Sequence, residues 1–595
     1  MTPLSIQLLA SMKLERRLRK FSGFISMIGI ALVIFDIGFT HIESEKAILK
    51  ELYYLIIGIG LINVLFRKFV APKKPPRKVA LFDWFLIISF LLLLFIRSEF
   101  LVENIEILKV FNKMGWLYLA ILMYFLREVF SFRLNFRKEY LNPAQLFVIS
   151  FLLMIFLGTL FLLLPKATHS GISLVDALFT ATSAVCVTGL IVVDTGTFFT
   201  GFGQSVIMIL IQLGGLGIMT FASYFSYFFR GNTSYANQLM LKDISNSEKI
   251  GEVLMVLKRI LLLTFGIEAI GAFLIYLNLN RSYFTSIPDQ IFFAVFHSIS
   301  GFCNAGFSTL ENSLYEPAFR FNYPLHLILA ALFILGGIGF PILLNLYKFL
   351  RYYVFRKFQK FKDPQQAHYL PWVLNLNSRI VLVSTTILLF AGSLAFYFFE
   401  YNNTLAEHGP FGKIVTAFFG AATPRTAGFN SVDTSALHFS TLMIVFLLMW
   451  IGASPASTGG GIKTSTFALA SLNFFSLARG KDRIEVYRRE VSPISIRRAF
   501  AIISLSLLVI GASIFLVTLF ESDKNITDIT FEAFSAYSTV GLSMGITSGL
   551  GSYSKLVIIA TMFIGRVSML TVLIAMLRNI KHLNYRYPKE EILIN

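Results

Sequence analysis

Apolar residues in this chain come in runs of about 20, the length that crosses a bilayer core as a helix. Such runs stand near 21–40, 51–67, 80–97, 114–131, 145–164, 205–229, 257–277, 325–349, 379–399, 439–474 (interrupted), 497–520 and 555–577. At one span per ~20 apolar residues the pattern predicts about twelve membrane-spanning helices. The period-two alternation of a barrel strand is absent. Charge in the connections orders the spans. "RKFVAPKKPPRK" (67–78), "RLNFRKEY" (133–140), "KFLRYYVFRKFQKFK" (348–362), "ARGKDRIEVYRRE" (478–490) and "RNIKHLNYRYPK" (578–589) fall on one side. Their opposites, "HIESEKAILKE" (41–51), "EYNNTLAEHG" (400–409) and "ESDKNITD" (521–528), are acidic or balanced. The positive-inside rule then puts both termini in the cytoplasm. The basic "KLERRLRK" (13–20) before the first run resembles the start of a signal sequence. No small-residue cleavage site follows, so that run reads as a first transmembrane helix.

Four further apolar stretches, near 173–186, 288–302, 412–423 and 527–538, are too short to span and lie on the outer side. Each is followed by an extended segment with one glycine before Leu or Phe: "AVCVTGLI" (184–191), "GFCNAGFS" (301–308), "TPRTAGFN" (423–430) and "YSTVGLSM" (537–544). The glycines, Gly189, Gly306, Gly428 and Gly541, are separated by 117, 122 and 113 residues (306 − 189, 428 − 306, 541 − 428). Near-constant spacing indicates repeated structural units. Each unit is a helix, a short re-entrant helix, a glycine segment and a helix. Irregular backbone at membrane depth is tolerated only where it is buried or lines a water-filled path. An ion that crosses lipid exchanges its water shell for other oxygens, and rings of backbone carbonyls supply them. A glycine admits positive φ, so neighbouring carbonyls can face one axis. A short helix ending at the segment aims its partly negative terminus inward. One such segment is weak evidence, because lone glycines also serve helix packing. Four in the same slot argue for a cation-selective ring of Val187, Thr188, Gly189, Asn304, Ala305, Gly306, Thr426, Ala427, Gly428, Thr539, Val540 and Gly541.

Composition narrows the class. Of 595 residues, 56% are hydrophobic and only 14% charged, more apolar surface than one soluble core hides. The fold class is therefore an all-α polytopic membrane protein. The net charge of +19 reads as basic inner loops and not as a nucleic-acid surface. Two cysteines make no disulfide framework. No Walker motif and no G-x-G-x-x-G after a strand appears, so nucleotide sensing would belong to a partner. A membrane enzyme such as a lipid-linked group transferase would need clustered acids or histidines at one face. The eight histidines are scattered.

Over about residues 140–580 the chain resembles the Trk/Ktr/HKT superfamily of potassium transporters, and among bacterial members the Ktr/Trk pore subunits. The resemblance rests on "DALFTATSAVCVTGL" (176–190), "FHSISGFCNAGFS" (296–308), "TPRTAGFNSVD" (423–433), "EAFSAYSTVGLS" (532–543) and "GASPASTGGGIKTST" (452–466). It implies four M1–P–M2 pore units in pseudo-fourfold arrangement, K⁺ as the transported ion at the filter glycines, no other cofactor, and no enzymatic activity. It implies a homodimer in the cytoplasmic (inner) membrane, regulated by a separate cytosolic nucleotide-binding ring. The expected boundaries are 1–139 for an N-terminal bundle of about four helices, then 140–245, 246–370, 371–490 and 491–595 for the pore units. In this family serine at the first filter glycine goes with sodium preference, so Gly189 argues for potassium. A Na⁺-selective or non-selective pore of the same fold is the alternative.

The inner helices also align. Gly214, Gly336, Gly452 and Gly565 follow the filter glycines by 25, 30, 24 and 24 residues. The third copy, Gly452, Ala453, Ser454, Pro455, Ala456, Ser457, Thr458, Gly459, Gly460 and Gly461, cannot remain a regular helix. Below the filter it would be a flexible loop. The resemblance makes it an intramembrane gate, and a kinked packing helix is the alternative. Arg566 lies deep in the fourth inner helix, where a charge is costly and by default functional. The resemblance places it beneath the filter as an obstacle to cations; as a structural cation it would pair with Glu268. Lys463 either anchors the gate or marks the helix restart. Arg425, three residues before Gly428, is expected to point behind the filter against Glu532 or Asp176. In the N-terminal bundle Arg127 alone on the last span is too little for a voltage sensor, and Asp36 and Asp83 are expected to reach the interface.

Overall fold

The structure, a computed structural model, describes residues 3–70, 77–96, 114–131, 143–228, 253–362 and 373–576. The expected boundaries at 139/140, 245/246 and 370/371, the basic segments 133–140 and 578–589, and the centre of 67–78 lie outside the described residues. The chain divides into two compact units, Met1–Arg137 with Leu164–Lys166, and Lys138–Leu163 with Ala167–Asn595.

In the first unit α1 (Pro3–Gly38), α2 (Glu43–Val70), α3 (Arg77–Ile96) and α4 (Met114–Ser131) form a bundle around Tyr53, Ile57, Phe90, Ile121 and Tyr124. Its interior carries charge. Arg127 donates to Asp83 at 2.9 Å and to Glu128 at 2.8 Å, and Arg67 pairs with Glu128. Asp36 accepts from the hydroxyls of Tyr53 at 2.9 Å and Tyr118 at 2.7 Å. Asp36 and Asp83, expected near the interface, are 6% and 8% exposed, and both have donors within the bundle, without which a carboxylate would not be retained there.

The second unit is four repeats. The first is α5 (Pro143–Leu162), α6 (Leu174–Cys186) and α7 (Gly201–Phe228). The second is α8 (Val253–Asn278), α9 (Ile287–Phe302), α10 (Tyr323–Ile338) and α11 (Phe340–Lys362). The third is α12 (Leu376–Glu400), α13 (Pro410–Ala422), α14 (Phe439–Trp450) and α15 (Thr464–Ala478). A two-stranded ribbon, Glu485–Val486 with Arg489–Glu490, leads into the fourth: α16 (Pro493–Phe520), α17 (Ile526–Ser538), α18 (Ser552–Val567) and α19 (Met569–Met576). By length and apolarity α1, α2, α8, α12 and α16 can each cross a bilayer, and two bent pairs can do so jointly.

The short helices α6, α9, α13 and α17 start where local chemistry demands. Ser173, Ser286 and Asn525 accept from the free amides of the first turn, and Pro410 opens α13. The repeats close into a ring: α7 packs on α9, α10 on α13, α14 on α17, and α18 on α6. Carboxylates tie the ends of α12 and α16 to the starts of α14 and α18. Glu400 accepts from His438 N at 3.0 Å and Thr441 Oγ1 at 2.5 Å, and Glu521 from Gly551 N at 2.6 Å and Ser554 Oγ at 2.9 Å.

Two inner helices expected to be continuous are broken. The second bends by 105° at Gly339 and the fourth by 89° at Ser568. Gly339 has φ +93°, and a Cβ there would lie 2.5 Å from Pro455 O of the third repeat. The chain turns aside at a stretch that holds Gly336, Gly337, Gly339 and Pro341, where a segment of another repeat passes close.

Candidate functional site

The four glycine segments follow the short helices directly and share one backbone. The residue two before the glycine and the glycine itself have positive φ: 57° and 90° at Val187 and Gly189, 59° and 69° at Asn304 and Gly306, 73° and 79° at Thr426 and Gly428, and 50° and 94° at Thr539 and Gly541. Thr188, Ala305, Ala427 and Val540 between them keep negative φ. Inverting alternate residues turns successive carbonyls to one side, where a strand would alternate them. Val187, Thr426 and Thr539 are β-branched and disfavour this conformation, at a cost on the order of 1–3 kcal/mol each. Strain repeated at equivalent positions marks a functional backbone.

The segments touch in cyclic order. A Cβ on Gly189 would lie 2.3 Å from Ala305 O, on Gly306 2.9 Å from Ala427 O, on Gly428 2.2 Å from Val540 O, and on Gly541 2.3 Å from Thr188 O. Each glycine thus meets the carbonyl before the next glycine, and the fourth meets the first. All twelve residues proposed from sequence for the ring are brought together.

Hydroxyls at the ends of the short helices, which sequence reasoning missed, brace these segments. Ser183 donates to Leu190 O at 2.7 Å, Ser300 to Phe307 O at 2.7 Å and Thr423 to Phe429 O at 2.8 Å, while Ser535 Oγ accepts from Gly541 N at 3.1 Å. The signal was available: three of the four are serines six residues before the glycine. A second tier lies nine residues before the glycine. His297 bonds Ser308 Oγ at 2.9 Å, and Ser543 donates to Glu532.

The expected interruption of the third inner helix is present. Helix α14 stops at Trp450, α15 restarts at Thr464, and Ile451 and Ile462 pair as an isolated bridge at the base of the loop. The loop is tied to three repeats. Ser454 N donates to Gly337 O at 2.9 Å, Phe340 N to Ala456 O at 3.2 Å, and Thr458 Oγ1 to Asn304 Oδ1 at 2.9 Å. Gly460 N donates to Thr539 Oγ1 at 2.8 Å. A Cβ on Gly459 would lie 2.0 Å from Thr426 Oγ1. The loop therefore touches the first residue of three of the four glycine segments. Lys463 folds back onto it, donating to Gly459 O at 2.7 Å and Gly460 O at 3.2 Å.

Arg566 is buried and joins the loop to the first repeat, donating to Thr458 O and, at 2.7 Å, to Gly214 O. Its suggested pairing with Glu268 is corrected: the guanidinium is taken up by the carbonyls that the loop and the α7 glycine expose. Glu268 instead accepts from Gln212 Nε2 at 3.2 Å and faces Cys303 Sγ at 3.8 Å. Arg425 is buried but does not meet Glu532 or Asp176. Glu532 is held by Ser543 and Thr547, Asp176 by Lys555 at 2.6 Å, and Arg425 Nη2 points to Gly452 O at 3.4 Å. Cys186 and Cys303 are buried free thiols.

The family profile described as "TrkH: Cation transport protein" matches residues 121–583. The Ktr system potassium uptake protein B of Bacillus subtilis (strain 168) is 37% identical over 453 residues, 76% of this chain and 96% of that protein. The potassium/sodium uptake protein NtpJ of Enterococcus hirae is 35% identical over 465 residues, 77% and 98% of the two chains. In fold, the chain is similar to the crystal structure of the potassium transporter TrkH from Vibrio parahaemolyticus, with a TM-score of 0.59 and 16% identity over 84% of this chain and 99% of that one.

Proposed function

Since the chain belongs to the TrkH family of cation transport proteins, we propose that it takes up K⁺ through one pore per chain, with the ring of Gly189, Gly306, Gly428 and Gly541 as the selectivity filter. It is a multi-pass membrane transporter and not an enzyme, which sets aside the transferase reading. The observation that carries the K⁺ reading is the closed contact of four segments with alternating φ. Such a backbone can surround a dehydrated cation with carbonyl oxygens. An inside-negative potential draws the ion inward with about 2.3 kcal/mol per unit charge per 100 mV, so uptake needs no ATP.

The loop 452–461 is the gate on this reading, with Lys463 and Arg566 as its fixings. Its contacts with Asn304, Thr426 and Thr539 support a barrier directly inside the filter. The protein works as a homodimer in the cytoplasmic membrane with both termini inside, and a cytosolic nucleotide-binding ring docks on the basic segments 348–362 and 478–490. A second reading, a pore that also passes Na⁺, is favoured by the likeness to a potassium/sodium uptake protein. Rubidium uptake in a potassium-uptake-deficient cell, with Na⁺ as competitor, separates the two. Uptake that resists excess Na⁺ is expected; uptake halved by equimolar Na⁺ would favour the second reading, and none at all would refute both.

A further inference from the structure

Glu268 is a titratable group that the path through the ring leaves unused. It lies mid-way along α8 and is 5% exposed. Besides the contacts of its carboxyl with Gln212 and Cys303, its backbone carbonyl accepts from Ser298 Oγ of α9 at 2.6 Å. Cys303 stands three residues before Gly306, so Glu268 sits behind the second glycine segment. Among the described residues the ion pairs all lie elsewhere. Two buried oxygens of the neighbourhood, Gln212 Oε1 and, one turn before Glu268, Thr264 Oγ1, have no hydrogen-bond partner.

An isolated carboxylate at this depth is unfavourable, and an intramembrane acid is by default functional. The elements packed on α8 bring few other charges. Helix α9 brings His297, engaged by Phe293 O and Ser308, and Cys303 follows its end. Helix α7 brings Gln212, and α10 brings His326, whose ring lies 5.3 Å from that of Phe419. Arg566 reaches Gly214 O, two residues beyond Gln212.

We propose that the Glu268 carboxyl is an exchangeable proton site outside the pore whose ionisation sets how tightly the filter holds its cation. The step is simple dissociation: the O–H bond breaks, the proton leaves to water, and one negative charge remains on the carboxylate. In the low-dielectric interior that charge attracts a cation in the ring. The inference rests on the reading of 304–306 as filter.

The test is rubidium uptake by the full-length protein in proteoliposomes, at equal inner and outer pH from 6 to 9. Wild-type apparent affinity for Rb⁺ is expected to rise several-fold with pH. Glu268→Gln holds the low-pH value throughout, Glu268→Asp restores the dependence, and Gln212→Leu, which removes a donor to the carboxylate, displaces its midpoint. A pH slope in Glu268→Gln equal to that of wild type overturns the proposal. Should that variant fail to fold, an unmoved midpoint in Gln212→Leu overturns it equally. Wild-type vesicles that take up no Rb⁺ at any pH would instead overturn the K⁺ reading, so the two failures are distinct.

Discussion

Ser183, Ser300 and Ser535 occupy one position in three repeats and do one job: each ties the end of a short helix to the strained backbone beyond it. Within a membrane protein such a hydrogen bond contributes on the order of 1 kcal/mol. Ser300→Ala should lower the thermal unfolding midpoint of the purified protein and weaken K⁺ over Na⁺ discrimination, because Phe307 O loses its donor next to Gly306. An unchanged midpoint together with unchanged discrimination would show that the hydroxyl is idle. The four glycines with positive φ were legible in the sequence because their neighbours repeat as well. The serines were overlooked among the many hydroxyls of the same segments, although their spacing is as regular. The partners of Arg425 and Glu268 were not legible, since they depend on which helix faces which across repeats. Charge matching suggested carboxylates for both arginines, whereas both point to backbone carbonyls, Thr458 O and Gly452 O of the interrupted helix and Gly214 O within α7.

The interrupted third inner helix was legible because ten residues without a large apolar side chain cannot be a packed span. The break at Gly339 could be read from Gly336, Gly337, Gly339 and Pro341, which stand within six residues, whereas the break at Ser568 could not, because only Gly565 stands near it. At the first, Pro455 O of the third repeat also approaches closely, a contact between repeats that no local pattern records. If the loop is the barrier, removing Ala453–Gly460 should raise K⁺ flux through the otherwise intact protein. Arg566→Ala should act in the same direction, since it frees Thr458 O and removes a positive charge below the filter. The two changes share one contact, so their combined effect should be less than additive. Flux assays on the three variants check this; a fall in flux in a folded deletion variant would make the segment a packing element. Regulation needs only a modest bias: a shift from 1:99 to 99:1 takes about 5.5 kcal/mol.

The four repeats close on themselves through inner-helix contacts with the next short helix. All four glycine segments lie in the second compact unit. A chain beginning at Leu141 should therefore still carry K⁺, measured as rubidium uptake after confirming insertion; an inserted but inactive chain would make the first bundle part of the permeation machinery. The bundle itself was legible as helices but not as a purpose, and its buried Asp83–Arg127–Glu128–Arg67 network explains its cohesion without assigning it a task. If the four segments act as one ring, selectivity depends on each of them. The most direct test is the K⁺/Na⁺ permeability ratio, from reversal potentials in planar bilayers, of the wild type and of Gly189→Ser, Gly306→Ser, Gly428→Ser and Gly541→Ser. At each position a Cβ would strain a positive-φ backbone and press on the neighbouring carbonyl. The wild type should favour K⁺ and all four variants should lose that preference; a folded variant that keeps the wild-type ratio would take its segment out of the ring and contradict the account.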